Sequence, residues 1–235
     1  MELTQTNIKE LYKFTRKHFV YHYDVQTELV DHLANDIENI WEEHPKLSFQ
    51  DAQDKSFKKF GIFGFMNVIE AKQKQMNRRY RKILWRFFKE WFTMPKLAVT
   101  LGLVFMIFFF LKLPYSKYIL LGALLFLAIF DLITRYVSRK NQQEKAHKKE
   151  KVFLLAAMIG ETRNGFTGVA FLNIFHFVNL SRVPFNTLEN HWLLLLSFSA
   201  TLLILLFYVT AYLIPQKAEE LLIETYPEYK LAQVL

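Results

Sequence analysis

Apolar positions follow two regimes along the chain. Up to about residue 77 they recur every three or four positions, separated by polar sites; beyond about residue 94 they fuse into long apolar runs. The first pattern marks helices that bury one face, and the second marks helices apolar all round. In the first regime the spacing predicts a helix capped by Thr6 and ending near Lys17. A second helix is predicted over residues 25–43, with Val25, Leu29, Leu33, Ile37, Ile40 and Trp41 on one stripe and His44-Pro45 ending it. Ser48 starts a third, with Asp51 three residues on in the manner of a capping box. Its apolar face is Phe49, Ala52, Phe57 and Phe60, and Gly61 is placed like a C-terminal cap. A fourth begins near Phe65 and runs through a basic stretch. No period-two alternation calls for strands, so the expected fold class is all-α.

A helix crossing the hydrocarbon core needs about 20 mostly apolar residues. Residues 94–113 qualify, with Lys96 and Lys112 at the ends where they can snorkel. Residues 118–137 qualify, with Asp131 and Arg135 toward one end, and residues 192–215 carry no charge at all. The run 152–180 is interrupted by Glu161, Arg163 and Asn164. It reads either as a span over residues 152–172 with a charged centre, or as an interfacial stretch 152–162 followed by a short span 166–180. The second is preferred, because charge at mid-bilayer is expensive. Four spans result.

Charge orients them. Residues 1–77 hold 10 Lys+Arg against 12 Asp+Glu, whereas residues 78–235 hold 20 against 10. Nine cations fall within residues 72–96 and six within residues 138–151, while the opposite connections carry only Lys117 and Arg182. The positive-inside rule then places both termini and the 138–151 loop in the cytoplasm. Trp85, Trp91, Tyr208 and Tyr212 fall at the inner interface; Tyr115, Tyr118 and Trp192 fall at the outer one. The organisation expected is a cytoplasmic helical domain (1–77), a basic juxtamembrane helix (78–93), a four-span domain (94–215) and a cytoplasmic tail (216–235) with an amphipathic start. The loop 138–151 lacks Gly and Pro, so the second and third spans are expected to extend as a helical hairpin. The basic clusters hug the membrane, which points to anionic lipid of the inner leaflet rather than to nucleic acid. The chain has no cysteine, which excludes disulfides and thiolate chemistry. The N-terminal stretch lacks the basic start and apolar core of a cleavable signal peptide.

Within the first domain, the pattern of Glu28, Leu29, Asp31, His32, Leu33, Ile37 and Glu38, then Ser48, Ala52, Phe60 and Gly61, resembles the HAAS signalling domain and the related permease-prefix domains. The resemblance covers about residues 20–70. It implies a small helical module placed before bacterial inner-membrane spans, with a regulatory role often associated with PadR-type regulators. Relatives often carry an Asp-Pro type turn after the Phe-Gly; here Ile62-Phe63-Gly64 stands instead, so the resemblance leaves the direction of the next helix open.

Three groups of side chains are candidates for function. Glu28, His32 and Asp36 lie four apart on one helix line, and Asp31 and Glu38 on a neighbouring one, all off the apolar stripe. The expected role is a solvated surface for a partner. A metal site would need ligands from another helix, for which His18 and His22 are spaced, because three positions on one line spread over about 12 Å. Asp131, Arg135, Glu161 and Arg163 are expected at matching depths as intramembrane polar pairs. Asn173, His176 and Asn179 form a polar stripe three residues apart. Phosphate-binding glycine loops and hydrolase or kinase signatures are missing. The expected function is therefore a non-enzymatic membrane protein without cofactor or metal, with a sensing or interaction module and a protein partner or homo-oligomer. The alternative is a small transport or channel component.

Overall fold

The computed structural model describes residues 3–116, 151–161 and 185–230, with isolated positions between 118 and 136. Every regular element among the described residues is helical. The chain divides into two compact units, one of residues 1–80 with 151–157, the other of residues 81–150 with 158–235.

The first unit begins with α1, Gln5–Lys17. Its cap is Thr4, whose hydroxyl oxygen accepts from the Asn7 amide at 3.3 Å. The cap expected at Thr6 is thus displaced by two residues, and Thr6 lies exposed in the first turn. Phe19 follows α1 at φ 66 and reverses the chain, and the Val20 amide donates to the Thr15 carbonyl. α2, Tyr23–Glu43, starts two residues before the predicted position. Its first amide is satisfied from outside, by the Val152 carbonyl at 2.8 Å. The predicted stripe of Val25, Leu29, Leu33, Ile37, Ile40 and Trp41 is buried throughout. The Trp41 indole N–H donates to the Leu47 carbonyl and fixes the turn after the helix.

α3 spans Phe49–Lys58 under the Ser48 cap. The Asp51 amide donates to Ser48 Oγ, and the Ser48 hydroxyl donates to the Asp51 carboxylate at 2.6 Å. Gly61 and Gly64 both take positive φ, +76 and +52, and together redirect the chain into α4, Met66–Lys89. The turn is built on two left-handed glycines, which bear that conformation without a Cβ penalty. At Gly64 a Cβ would also meet the Phe57 ring at 2.9 Å.

The core of this unit also takes in residues that the sequence assigned to the apolar back half. Phe153, Leu154 and Leu155 are all buried. Phe153 packs on Tyr23 with ring centroids 5.4 Å apart.

In the second unit the end of α4 passes into a 3-10 turn, Glu90–Phe92. The chain then bends by 79° into α5, Lys96–Leu111. The Thr100 hydroxyl donates to the Trp91 carbonyl at 2.8 Å and ties the two sides of the bend. The predicted span at residues 94–113 is therefore shorter as a helix, about 24 Å long at 1.5 Å per residue. Residues 78–93 are the end of α4, the helix expected from near Phe65 through the basic stretch, together with that turn. α6, Asn190–Tyr208, continues through a π-turn, Val209–Leu213, and a last turn, Ile214–Gln216. The widened turn lies just ahead of Pro215, whose ring and missing N–H cannot fit the regular ladder. Asn190–Gln216 is long and apolar enough to cross a membrane, and α5 provides a second, broken candidate only together with α4.

α5 and α6 are antiparallel. Trp91 meets Tyr208 at one end, with centroids 5.5 Å apart, and Leu111, Phe185 and Leu193 cluster at the other. Between these ends Thr100 and Val104 of α5 and Ser197, Thr201 and Leu205 of α6 are buried. Ser197 and Thr201 return their hydroxyls to carbonyls one turn back in α6. Small side chains without unmet donors let two helix backbones approach. The outward faces are exposed and apolar, with Leu101, Phe105, Met106 and Phe109 on α5 and Leu194, Leu195, Phe198, Leu203 and Ile204 on α6. α7, Ala218–Thr225, buries Leu221 and Leu222 and joins α4 through a two-pronged Arg86–Glu224 ion pair at 3.1 and 3.2 Å.

Candidate interaction site

The five polar residues singled out on α2 do not share one environment. Asp31 and His32 are exposed, whereas Glu28, Asp36 and Glu38 are half-buried. Glu28 pairs with Lys72 of α4, and Asp36 pairs with Lys59 beyond α3. A Glu38 carboxylate oxygen accepts from the Leu3 amide at 3.1 Å. Partial burial opposes ionisation of Asp36, but the hydrogen bond from Lys59 and the Lys59 charge outweigh it and hold its carboxyl below the usual aspartate range. Three of the five side chains thus brace α2 against its neighbours. The free remainder, Asp31 and His32, is the part a partner could reach.

Tyr12 lies beside this face. Burial first, then the neighbouring Tyr23 and Asp31, raises its phenol above the ordinary value, although its hydrogen bond with Thr27 works the other way. Tyr12 stacks on Tyr23 at 6.4 Å, and Tyr23 also carries Lys151 over its ring at 4.9 Å.

The histidines that could have completed a metal site are used differently. His18 sits in an aromatic nest, 4.5 Å from Phe14 and 4.4 Å from Phe57 by ring centroid. His22 stands at the N-cap of α2, and its buried Nδ1 makes no hydrogen bond. Among the described residues no three His, Asp or Glu side chains converge as metal ligands.

The contact that sequence reasoning missed is Asp24. Its Oδ1 accepts the Leu154 amide at 2.9 Å, so a carboxylate in the first turn of α2 caps the helical segment 154–161 from 130 residues away. An N-terminal amide is normally capped by the residue just before the helix. Here Lys151, Val152 and Phe153 precede it, and the cap comes from another helix. One signal was present: the apolar run at 153 follows the basic loop with no Ser, Thr, Asp or Asn to start a helix.

Of the polar residues expected within the spans, Glu161 is exposed and is the last described residue of that segment. Asp131, Arg135, Arg163, Asn173, His176 and Asn179 lie outside the described residues, as does most of the expected hairpin at 138–151. Of the aromatic residues expected at the inner interface, Trp91 meets Tyr208, and Tyr208 meets Tyr212 at 5.4 Å.

The arrangement offers a helical surface and a non-local cap, with no assembled nucleophile, base or ligand cage among the described residues. Compared with family models, with curated proteins and with solved structures, the chain matches none.

Proposed function

We propose that the protein is a non-enzymatic, multi-pass protein of the bacterial inner membrane, with both termini cytoplasmic, whose N-terminal helical unit binds a partner and reports to a four-span anchor. The observation that carries this reading is the docking of residues 151–157 onto α2 through Tyr23, Asp24 and Phe153. Those residues open the third apolar run of the chain. A ligand or protein that shifts α2 would therefore act directly on the backbone entering that run. Coupling of this kind needs an element that both events bias, and the Asp24 cap is one.

Membrane residence is supported by the apolar outward faces of α5 and α6, which nothing in the second unit covers among the described residues. The bend of 79° suits a helix lying along the surface, followed by one that crosses it. Arg78, Arg81 and Lys82 on α4 are exposed and suit anionic headgroups. The HAAS-like pattern in α2 and α3 directs the regulatory reading and a PadR-type partner, and leaves Asp31 and His32 as the contact face.

A photo-crosslinking residue at position 31, placed in the full chain in its native membranes, should trap a soluble protein. If purification after crosslinking brings down only lipid and the chain itself, the reading fails.

A further inference from the structure

The N-terminal unit carries an apolar tip that the regulatory reading leaves unused. Ile62 is fully exposed, and Phe19, Tyr21, Phe63 and Met66 are each more than half exposed. They belong to the turn 19–22 after α1 and to the turn 61–65 after α3 with the first residue of α4. The turns share one end of the unit, because the aromatic nest joins their roots. His18 touches Phe57 and Phe65, at 4.4 and 5.9 Å between centroids, and Phe14 touches Phe57 at 5.2 Å.

Two features mark this tip as more than stray surface. Phe19 holds a left-handed backbone, φ 66, while its ring points to solvent. The Phe19 and Val20 amides donate back to the Arg16 and Thr15 carbonyls, so the cap that ends α1 fixes this backbone and turns the Phe19 ring outward. Single exposed apolar residues are ordinary, but five on adjoining turns form a patch.

Charge identifies what covers it. Residues 11–22 carry Lys13, Arg16 and Lys17 and no carboxylate; residues 55–69 carry Lys55, Lys58 and Lys59 and no carboxylate. α2 by contrast holds seven Asp and Glu and no Lys or Arg. Asp54 and Glu70 stand just beyond the second segment and Lys59 is held by Asp36, so the cations left for the tip are Lys13, Arg16, Lys17, Lys55 and Lys58, while the anions gather along α2. Aromatic and aliphatic side chains ringed by Lys and Arg match the interface of an anionic bilayer, where rings sit at headgroup level and cations meet lipid phosphates. An acidic protein groove would suit the cations but not a convex, fully exposed Ile62.

We infer that this tip is a membrane-docking element: Phe19, Tyr21, Ile62, Phe63 and Met66 insert into an anionic leaflet while Arg16, Lys17, Lys55 and Lys58 bind its headgroups. The inference rests on the membrane reading above. It holds the partner-binding unit against the bilayer through lipid composition, independently of the covalent link through α4.

Because the chain has no cysteine, single nitroxide labels can be placed on the full protein in nanodiscs. Ile62→Cys reports the tip, Phe198→Cys the outward face of α6, and Lys46→Cys the opposite end of α2, about 31 Å along that helix. Labels are compared in discs with and without phosphatidylglycerol, by accessibility to oxygen and to a water-soluble nickel chelate. The expected result is that the 198 label is in hydrocarbon in both discs, the 46 label in water in both, and the 62 label in lipid only in the anionic discs. Arg16→Gln and Lys58→Gln should each lower the docking equilibrium about fivefold. A 62 label that stays in water while the 198 label is in lipid overturns the tip alone. A 62 label shielded from both reagents in either disc, or spin-coupled to a second copy, assigns the patch to a protein contact and also overturns it. A 198 label in water removes the membrane reading and the tip with it.

Discussion

Asp24 caps a helix that begins 130 residues later, its carboxylate accepting the Leu154 amide at 2.9 Å. With the Tyr23 amide bonded to the Val152 carbonyl, the two segments satisfy each other's helix-start groups. Free amides at a helix start are costly when buried, and Leu154 and Leu155 are buried. The pairing is thus a requirement of the packing as well as a tether.

Removing the cap should loosen the tether without unfolding the unit. Asp24→Ala is expected to cost about 1 kcal/mol, the usual value of a helix cap, and Asp24→Asn less, because its side-chain oxygen still accepts. Hydrogen exchange should quicken at residues 154–157 and leave α6 unchanged. Equal protection in wild type and Asp24→Ala would mean the cap does not hold the segment.

The Asp36–Lys59 pair predicts a small acid dependence with a definite sign. The folded-state pKa of Asp36 is depressed, so the pair's stabilisation is present above the ordinary aspartate range and is lost as pH falls through the lower folded value. Lys59 is more than half exposed, so the size is at most about 1 kcal/mol. Asp36→Asn should abolish that part of the acid limb in thermal melts between about pH 5 and 2. A mutant that loses stability at acid pH as wild type does would assign the limb to other carboxylates.

The two glycines between α3 and α4 should respond unequally to alanine. Gly61→Ala meets open space and bears only the left-handed backbone penalty, about 1–2 kcal/mol. Gly64→Ala bears the same penalty and drives a methyl onto the Phe57 ring at 2.9 Å. It should lower the melting temperature further, and equal effects would place the Phe57 ring elsewhere.

Leu33 is fully buried on the α2 stripe. Leu33→Ala should cost about 2–5 kcal/mol by cavity formation and broaden the resonances of the first unit. A loss under 1 kcal/mol would show that α2 is not the centre of that core.

The α5–α6 seam should be intolerant of bulk where its outer face is not. Thr201 is fully buried and Phe198 is exposed. Thr201→Leu should overpack the seam by about 1–3 kcal/mol, while Phe198→Leu should leave the midpoint in detergent unfolding unchanged. The reverse order would put the helix contact on the other face of α6.

Local pattern was enough for much of the first unit. Burial of every third or fourth residue in α2 follows from helical geometry, so the stripe from Val25 to Trp41 was legible residue by residue. Ser48 with Asp51 and the glycine at 61 were legible for the same reason, since caps act within one turn. Thr4 displaced Thr6 because two threonines stand two residues apart and only the tertiary start of the helix selects between them. The uncharged run ending in Pro215 was legible as a single long apolar helix, though the π-turn ahead of the proline was not.

What only the tertiary structure decided is long-range. Nothing within a few residues of Asp24 says that its carboxylate serves residue 154, and Phe153, Leu154 and Leu155 read alike as lipid-facing or core-facing, because hydrophobicity carries no address. The same holds for Glu28 and Asp36. The sequence determined that they lie off the apolar stripe, but whether they meet water or Lys72 and Lys59 depends on where α3 and α4 pack. Periodicity is a property of one helix; pairing is a property of two, and it is set only when their faces close on a common core.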